Sequence, residues 1–143
     1  MGAQPVSEYV VHARAVAGGP ASVQAGDTSV DLDLAWGAEP TGQPGPADLL
    51  ASAFAACLLK NLARAHDLIG FEYDGAEVEV RVRRQDSPPK FVEIGYTLWV
   101  RTDEQDRRLD LAHRNLKKYG TVYNTLAAVC DVHGTIEAVP PGA

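Results

Sequence analysis

Apolar and polar residues alternate along most of this chain, and a change of period marks each new element. Over residues 9–16, YVVHARAV, Tyr9, Val11, Ala13 and Ala15 fall on one side and His12 and Arg14 on the other, which predicts a strand. Gly18-Gly19-Pro20 turns the chain, and Ala21–Ala25 is a weaker strand candidate. Gly26-Asp27 turns it again. Residues 30–36 then alternate strongly, with Val30, Leu32, Leu34 and Trp36 set against Asp31 and Asp33. Three antiparallel strands in a meander are expected.

The alternation stops at residues 46–68, PADLLASAFAACLLKNLARAHDL. From Leu49 to Leu59 only Ser52 is polar, so the segment reads as a helix that is apolar all round and therefore buried all round. Gly45 suits the N-cap, Pro46 the first helical position, and Asp48 puts negative charge on the first turn, where the helix dipole favours it. Lys60, Arg64 and His66 load the C-terminal half, and Gly70 ends it. Ala51, Ser52, Ala53, Ala55 and Ala56 are small enough for neighbouring backbone to come close, and Cys57 sits among them.

Period two returns at residues 77–84, with Val78, Val80 and Val82 inward and Glu79, Arg81 and Arg83 outward. Ser87-Pro88-Pro89-Lys90 turns the chain, and residues 91–101 answer with Val92, Ile94, Tyr96, Leu98 and Val100 on one face, predicting a hairpin laid on a core. Asp106–Tyr119 has helical spacing, with Leu109, Ala112, Leu116 and Tyr119 on one stripe, and Gly120 stops it. Residues 121–128 suit a short helical turn. Residues 129–139 form a last strand, with Cys130, Val132, Ile136 and Ala138 opposite Asp131, His133, Thr135 and Glu137. Strands, helix, hairpin, helix and strand in this order give an α+β fold rather than repeated βαβ units.

Composition narrows the function. At 143 residues and 45% hydrophobic, the chain is expected to form a single domain spanning 1–143. So small a domain cannot easily cover a helix on every side, so a homodimer is expected, its partner covering the remaining face. A net charge of −6 and scattered basic residues exclude a nucleic-acid surface and an anionic membrane. The apolar run ends at Lys60, short of a membrane span. No basic start and apolar stretch precede Val6, so no signal peptide is expected and a cytoplasmic location is. Two cysteines in a reducing compartment read as free thiols or a redox pair. His12, His66, His113 and His133 share no ligand spacing, so no metal site is expected. Phosphate-loop, dinucleotide and serine-hydrolase motifs are absent, and no cofactor is expected.

The element order, and the residues Gly45, Pro46, Asp48, Leu49, Leu50, Ala53, Ala55, Ala56 and Cys57 followed later by Asn124, Thr125 and Leu126, resemble the osmotically inducible protein C and organic hydroperoxide resistance family (OsmC/Ohr). The resemblance implies an intertwined homodimer in which antiparallel sheets wrap a pair of long central helices, with sites at the dimer interface. It also implies a low-pKa cysteine on the central helix that attacks a peroxide, a second cysteine that closes a disulfide, and an external dithiol that reopens it. An Arg and a Glu activate the first cysteine. Carried over residue by residue, the first cysteine is Cys57. The second falls on Gly120, the Glu on Ala47, one place before Asp48, and the Arg on Pro20 after Gly18-Gly19, with Arg14 a nearby cation.

A thiol reacts as its thiolate, which apolar burial disfavours. Cys57 stands roughly three turns into its helix, beyond the reach of the dipole. It is therefore either a reactive thiol kept from the family or a small core residue. Cys130, on the apolar face of the last strand, is a candidate redox partner or a second core cysteine. Asp48, Tyr119 and Tyr123 are candidate binding residues, although Asp48 also suits a first-turn role and the two tyrosines suit packing. Two functions follow. One is a thiol-dependent, one-cysteine reduction of organic hydroperoxides through Cys57, with an external thiol reductant. The other is a non-catalytic dimer that binds a small apolar ligand in an interfacial pocket.

Overall fold

The computed structural model describes residues 4–142 and divides between Asp48 and Leu49 into two units. In the first, β1 (His12–Ala15), β2 (Ala21–Ala25) and β3 (Thr28–Asp31) form an antiparallel meander. The register places Arg14 opposite Ser22 and Ser22 opposite Asp31, with His12, Gln24 and Ser29 in the next row of the same face. Ala13, Val23 and Val30 form a row on the other face. Ala21 and Leu32 are the buried apolar residues of this unit, while Tyr9, Val11 and Leu34 are exposed and Trp36 is 100% exposed.

Two of these strands are shorter than their patterns predict. β1 begins at His12, and in its register residues 9 and 10 lie beyond the end of β2 at Ala25, where Gly26 turns the chain at φ 60°. After a last bond from the Leu32 N–H to Ala21 O (2.9 Å), residues 33–36 leave the sheet, where the Asp33 carboxylate accepts the N–H of Ala35 (3.2 Å) and of Thr41 (3.1 Å). Such local bonds offer the backbone an alternative to the ladder.

Helix α1 (Pro46–Ile69) opens the way to the second unit. The Asp48 carboxylate accepts the Gly45 N–H at 3.0 Å, the return arm of a capping box. There follow β4 (Gly75–Gln85), β5 (Lys90–Arg101), α2 (Asp106–Tyr119), α3 (Thr121–Ala127) and β6 (Asp131–Val139). The sheet order is β4-β5-β6. The β4–β5 hairpin is antiparallel, with an irregularity between Arg83 and Arg84. β6 lies parallel to β5, Glu93 opposite Asp131 and Gly95 opposite His133. The expectation of purely antiparallel sheets is corrected at this one pairing: α2 and α3 carry the chain back to the starting end of β5 before β6 begins.

The core of this unit joins one face of α1 (Phe54, Leu58, Leu62, Ala65) to Ile94, Tyr96, Leu98 and Val100 of β5 and to Leu109, Ala112 and Leu116 of α2. Each Leu, Ile, Val or Phe side chain among them contributes about 1.5–3 kcal/mol on burial. α1 runs antiparallel to α2: Arg108 donates to the Ile69 carbonyl at one end, and Arg64 reaches Asn115 nearer the other. The opposite face of α1 differs from expectation. Ser52, Ala53, Ala56, Leu59 and Ala63 are exposed, so a single chain buries one side of this helix. By length and mean hydropathy α1 is also apolar enough to cross a membrane, Lys60 notwithstanding. Phe54, Leu58 and Leu62 of this helix are committed to the core, with Phe54 and Leu62 at 0% exposure, while Leu59 and Leu68 are exposed.

Candidate functional site

Cys57 occupies the α1 row that flanks the core-facing row. The half-buried thiol looks toward the joint between α2 and α3. That joint is Gly120. It ends α2 through its N–H to Leu116 O (3.0 Å) and starts α3 through its carbonyl, which accepts the Asn124 N–H at 2.8 Å. A side chain at this position would begin 3.2 Å from Cys57 Sγ, 3.0 Å from Tyr123 Cβ and 2.9 Å from Leu116 O. The chain thus brings Cys57 and Gly120 together across 63 positions of sequence (120 − 57).

Four residues along α1, Asn61 reaches back to the cysteine. Its Nδ2 donates to the Cys57 carbonyl at 2.9 Å and lies 3.5 Å from Sγ. An amide carries two N–H groups, so one can serve the carbonyl and the other the sulfur. A thiolate accepts such a bond more strongly than a neutral thiol. Asn61 was not singled out from sequence, although its i, i+4 spacing from Cys57 was a readable signal.

Beside Gly120 stands an aromatic cluster. Phe54 stacks on Tyr123 (centroids 5.6 Å apart), and Tyr96 meets Tyr123 edge-on at 6.2 Å. Tyr96 Oη is 2.7 Å from His113 Nε2. Burial first, and the adjacent Lys117 second, lower His113 to about 4 against the opposing pull of Asp110. The imidazole is therefore neutral at pH 7 and offers one bare nitrogen as acceptor. Burial, with the charge and hydroxyl of Tyr123, raises Tyr96 well above its ordinary value. Tyr96 keeps its proton, so its hydrogen bond with His113 joins two neutral groups.

The other candidates separate. Cys130 sits at the α3–β6 junction, where its N–H reaches Leu126 O and its side chain packs against the core. Both cysteines are free thiols. Arg14 is exposed on the polar face of the N-terminal sheet. There it lines a shallow groove of about 310 Å³ with His12, Ser22, Gln24 and Ser29. Asp48 is engaged at the start of α1, as described. Tyr119 is half-exposed under the Arg64 guanidinium, whose carbon lies 4.0 Å above its ring centroid. Tyr123 is buried in the aromatic cluster. Against the expectation of no metal-ligand grouping, Glu93, Asp131 and His133 bring three potential donor atoms together on the outer face of β5 and β6. The Asp131-x-His133 pair was readable as one strand face. Its partner Glu93 was not, because parallel pairing supplies it.

The chain matches the sequence profile of the OsmC-like protein family over residues 38–133. No curated protein matches its sequence. Among solved structures, it is similar to an OsmC-like protein from Mycoplasma pneumoniae, with a TM-score of 0.83 at 18% identity over 93% of this chain and 98% of that one. It is also similar to an organic hydroperoxide resistance protein OsmC from Legionella pneumophila, with a TM-score of 0.75 at 16% identity over 94% and 99%. The organic hydroperoxide resistance protein OhrB of Bacillus subtilis gives 0.63 at 22% identity over 92% and 98%. At these identities the structures establish a shared fold.

Proposed function

The chain belongs to the OsmC-like protein family, and from that premise we propose that it reduces organic hydroperoxides as a cytoplasmic homodimer, using Cys57 as its one reacting cysteine. The observation that carries this reading is the approach of Gly120 to Cys57 Sγ. The segment that bears the second cysteine in the peroxidases of this family lies against the first thiol, and here it bears no thiol. The Asn61 amide supplies a donor toward Sγ. Relatives of the same fold are named for organic hydroperoxide resistance.

In the proposed cycle the Cys57 thiolate attacks the terminal oxygen of ROOH. The O–O bond breaks, ROH leaves after taking up a proton, and Cys57 becomes a sulfenic acid. An external thiol then attacks the sulfur and expels water, leaving a mixed disulfide. A second thiol equivalent releases Cys57 and forms the oxidised external disulfide, so the two electrons delivered to the peroxide are restored. Two exposed surfaces support the homodimer: the small apolar face of α1 through Ala53, Ala56 and Ala63, and an N-terminal sheet that buries little of its own.

The test is consumption of an organic hydroperoxide with a monothiol or dithiol reductant, comparing wild type with Cys57→Ser, while sedimentation equilibrium reads the oligomer. Expected are turnover in wild type, none in Cys57→Ser, unchanged turnover in Cys130→Ser, and a dimer. Equal rates in wild type and Cys57→Ser would remove the enzyme. A second reading, the same dimer binding an apolar ligand without turnover, is favoured by Ala47 and Gly120 standing where the activating Glu and second cysteine would be. It predicts no turnover with any thiol.

A further inference from the structure

The outer face of the β4-β5-β6 sheet carries a group that the thiol chemistry does not use. Parallel pairing sets Glu93 opposite Asp131 and Gly95 opposite His133. Because Gly95 has no side chain, the His133 ring lies across β5, its Cε1 3.4 Å from where a Cβ would stand. This carries His133 Nε2 to 3.0 Å from Glu93 Oε2. The other carboxylate oxygen, Oε1, accepts from Arg83 at 3.0 Å. One atom each from Glu93, Asp131 and His133 falls within 4.8 Å of the other two.

We propose that Glu93, Asp131 and His133 form a binding site for a divalent transition-metal ion, with zinc the best fit, on the outer face of this sheet. A ring nitrogen with two carboxylate oxygens suits zinc, nickel or copper, whereas calcium and magnesium favour oxygen ligands alone. The two carboxylates balance the charge of a divalent ion. All three donors come from adjacent, hydrogen-bonded strands, so their backbones are held before the ion arrives. Zinc takes the place of the hydrogen bond between His133 Nε2 and Glu93 Oε2. Arg83 holds the second oxygen of Glu93 and so keeps that carboxylate a single-atom ligand, the orienting role that outer groups play around bound metals. The fourth position faces solvent and takes water.

The test is zinc titration of the full chain in competition with a chromophoric chelator, together with the cobalt spectrum. Expected are one ion per chain, a melting temperature that rises with zinc, and a cobalt complex without a thiolate charge-transfer band. His133→Asn and Asp131→Asn, both surface changes in strands that stay paired, should each weaken zinc binding at least about tenfold. The Cys57→Ser/Cys130→Ser double variant should bind zinc like wild type. Absence of zinc uptake at an excess of metal would overturn the site, as would unchanged affinity in His133→Asn or loss of affinity in the double variant.

Discussion

Replacing Gly120 with cysteine tests the placement on which the functional reading turns. In a disulfide with an S–S bond of about 2.05 Å, the Cβ of one cysteine lies about 3 Å from the sulfur of the other. The Cβ position at Gly120 is 3.2 Å from Cys57 Sγ, so the new thiol needs little backbone movement to pair. That Cβ also crowds Leu116 O at 2.9 Å and Tyr123 Cβ at 3.0 Å. Overpacking of this kind costs about 1–3 kcal/mol, so the reduced variant should be less stable than wild type by that much. Oxidation closes a loop of about 60 residues, for which the chain-entropy estimate is about 4 kcal/mol. The oxidised variant should therefore exceed wild type by about 1–3 kcal/mol, the difference between those two terms. Urea denaturation with and without dithiothreitol reads both states, and thiol titration counts the free cysteines. If the oxidised protein keeps all its thiols titratable, or forms only links between chains, the joint does not lie against Cys57.

Other outcomes follow from the same packing. Asn61→Leu removes the donor toward Sγ, worth about 1 kcal/mol, so alkylation of Cys57 by iodoacetamide should slow roughly fivefold with the fold intact by circular dichroism. His113 is held to about 4 in the folded chain and titrates near 6.5 when unfolded, so the unfolded state binds the extra proton between these values. Its contribution to stability is complete above about pH 6.5 and is lost as pH falls toward 4. Denaturation at pH 7 and pH 4.5 should show a smaller loss in His113→Gln than in wild type. Gly134 faces Tyr96 across the parallel pair, and a methyl there would fall inside the Tyr96 carbonyl and ring. Gly134→Ala should cost about 1–3 kcal/mol by thermal denaturation, more than an alanine at the exposed Thr135 position.

Some of this was legible along the chain because period alone carries it. Val78, Val80 and Val82, and Ile94, Tyr96, Leu98 and Val100, mark their strands, and the Pro46 start of α1 is written into Gly45 and Asp48. Other features depend on partners that a pattern does not name. Alternation in β6 tells which side chains share a face but not which way the neighbouring strand runs, so the meeting of His133 with Glu93 stayed hidden. Asp33 looked like an outward strand residue, yet its carboxylate takes two backbone N–H groups and ends β3 early. The nearness of Gly120 to Cys57 came from family likeness rather than periodicity, since a long crossover separates them. Tyr96 reads as one more inward residue of β5. Its pairing with a neutral histidine emerges only when α2 packs against the sheet.

The parallel pairing of β6 with β5 also bears on how this protein is made. β5 is the middle strand of its sheet, and its second edge is filled by residues 131–139, which are synthesised only after α2 and α3. While the ribosome is still adding α2 and α3, the β4–β5 hairpin presents an open row of backbone donors and acceptors beside a largely apolar face. Such an edge is a template for pairing with other nascent chains. A transcript truncated before Asp131 would leave that edge permanently open. Its product should enter the aggregation and degradation pathways of the cell even though both cysteines and the whole of α1 are present.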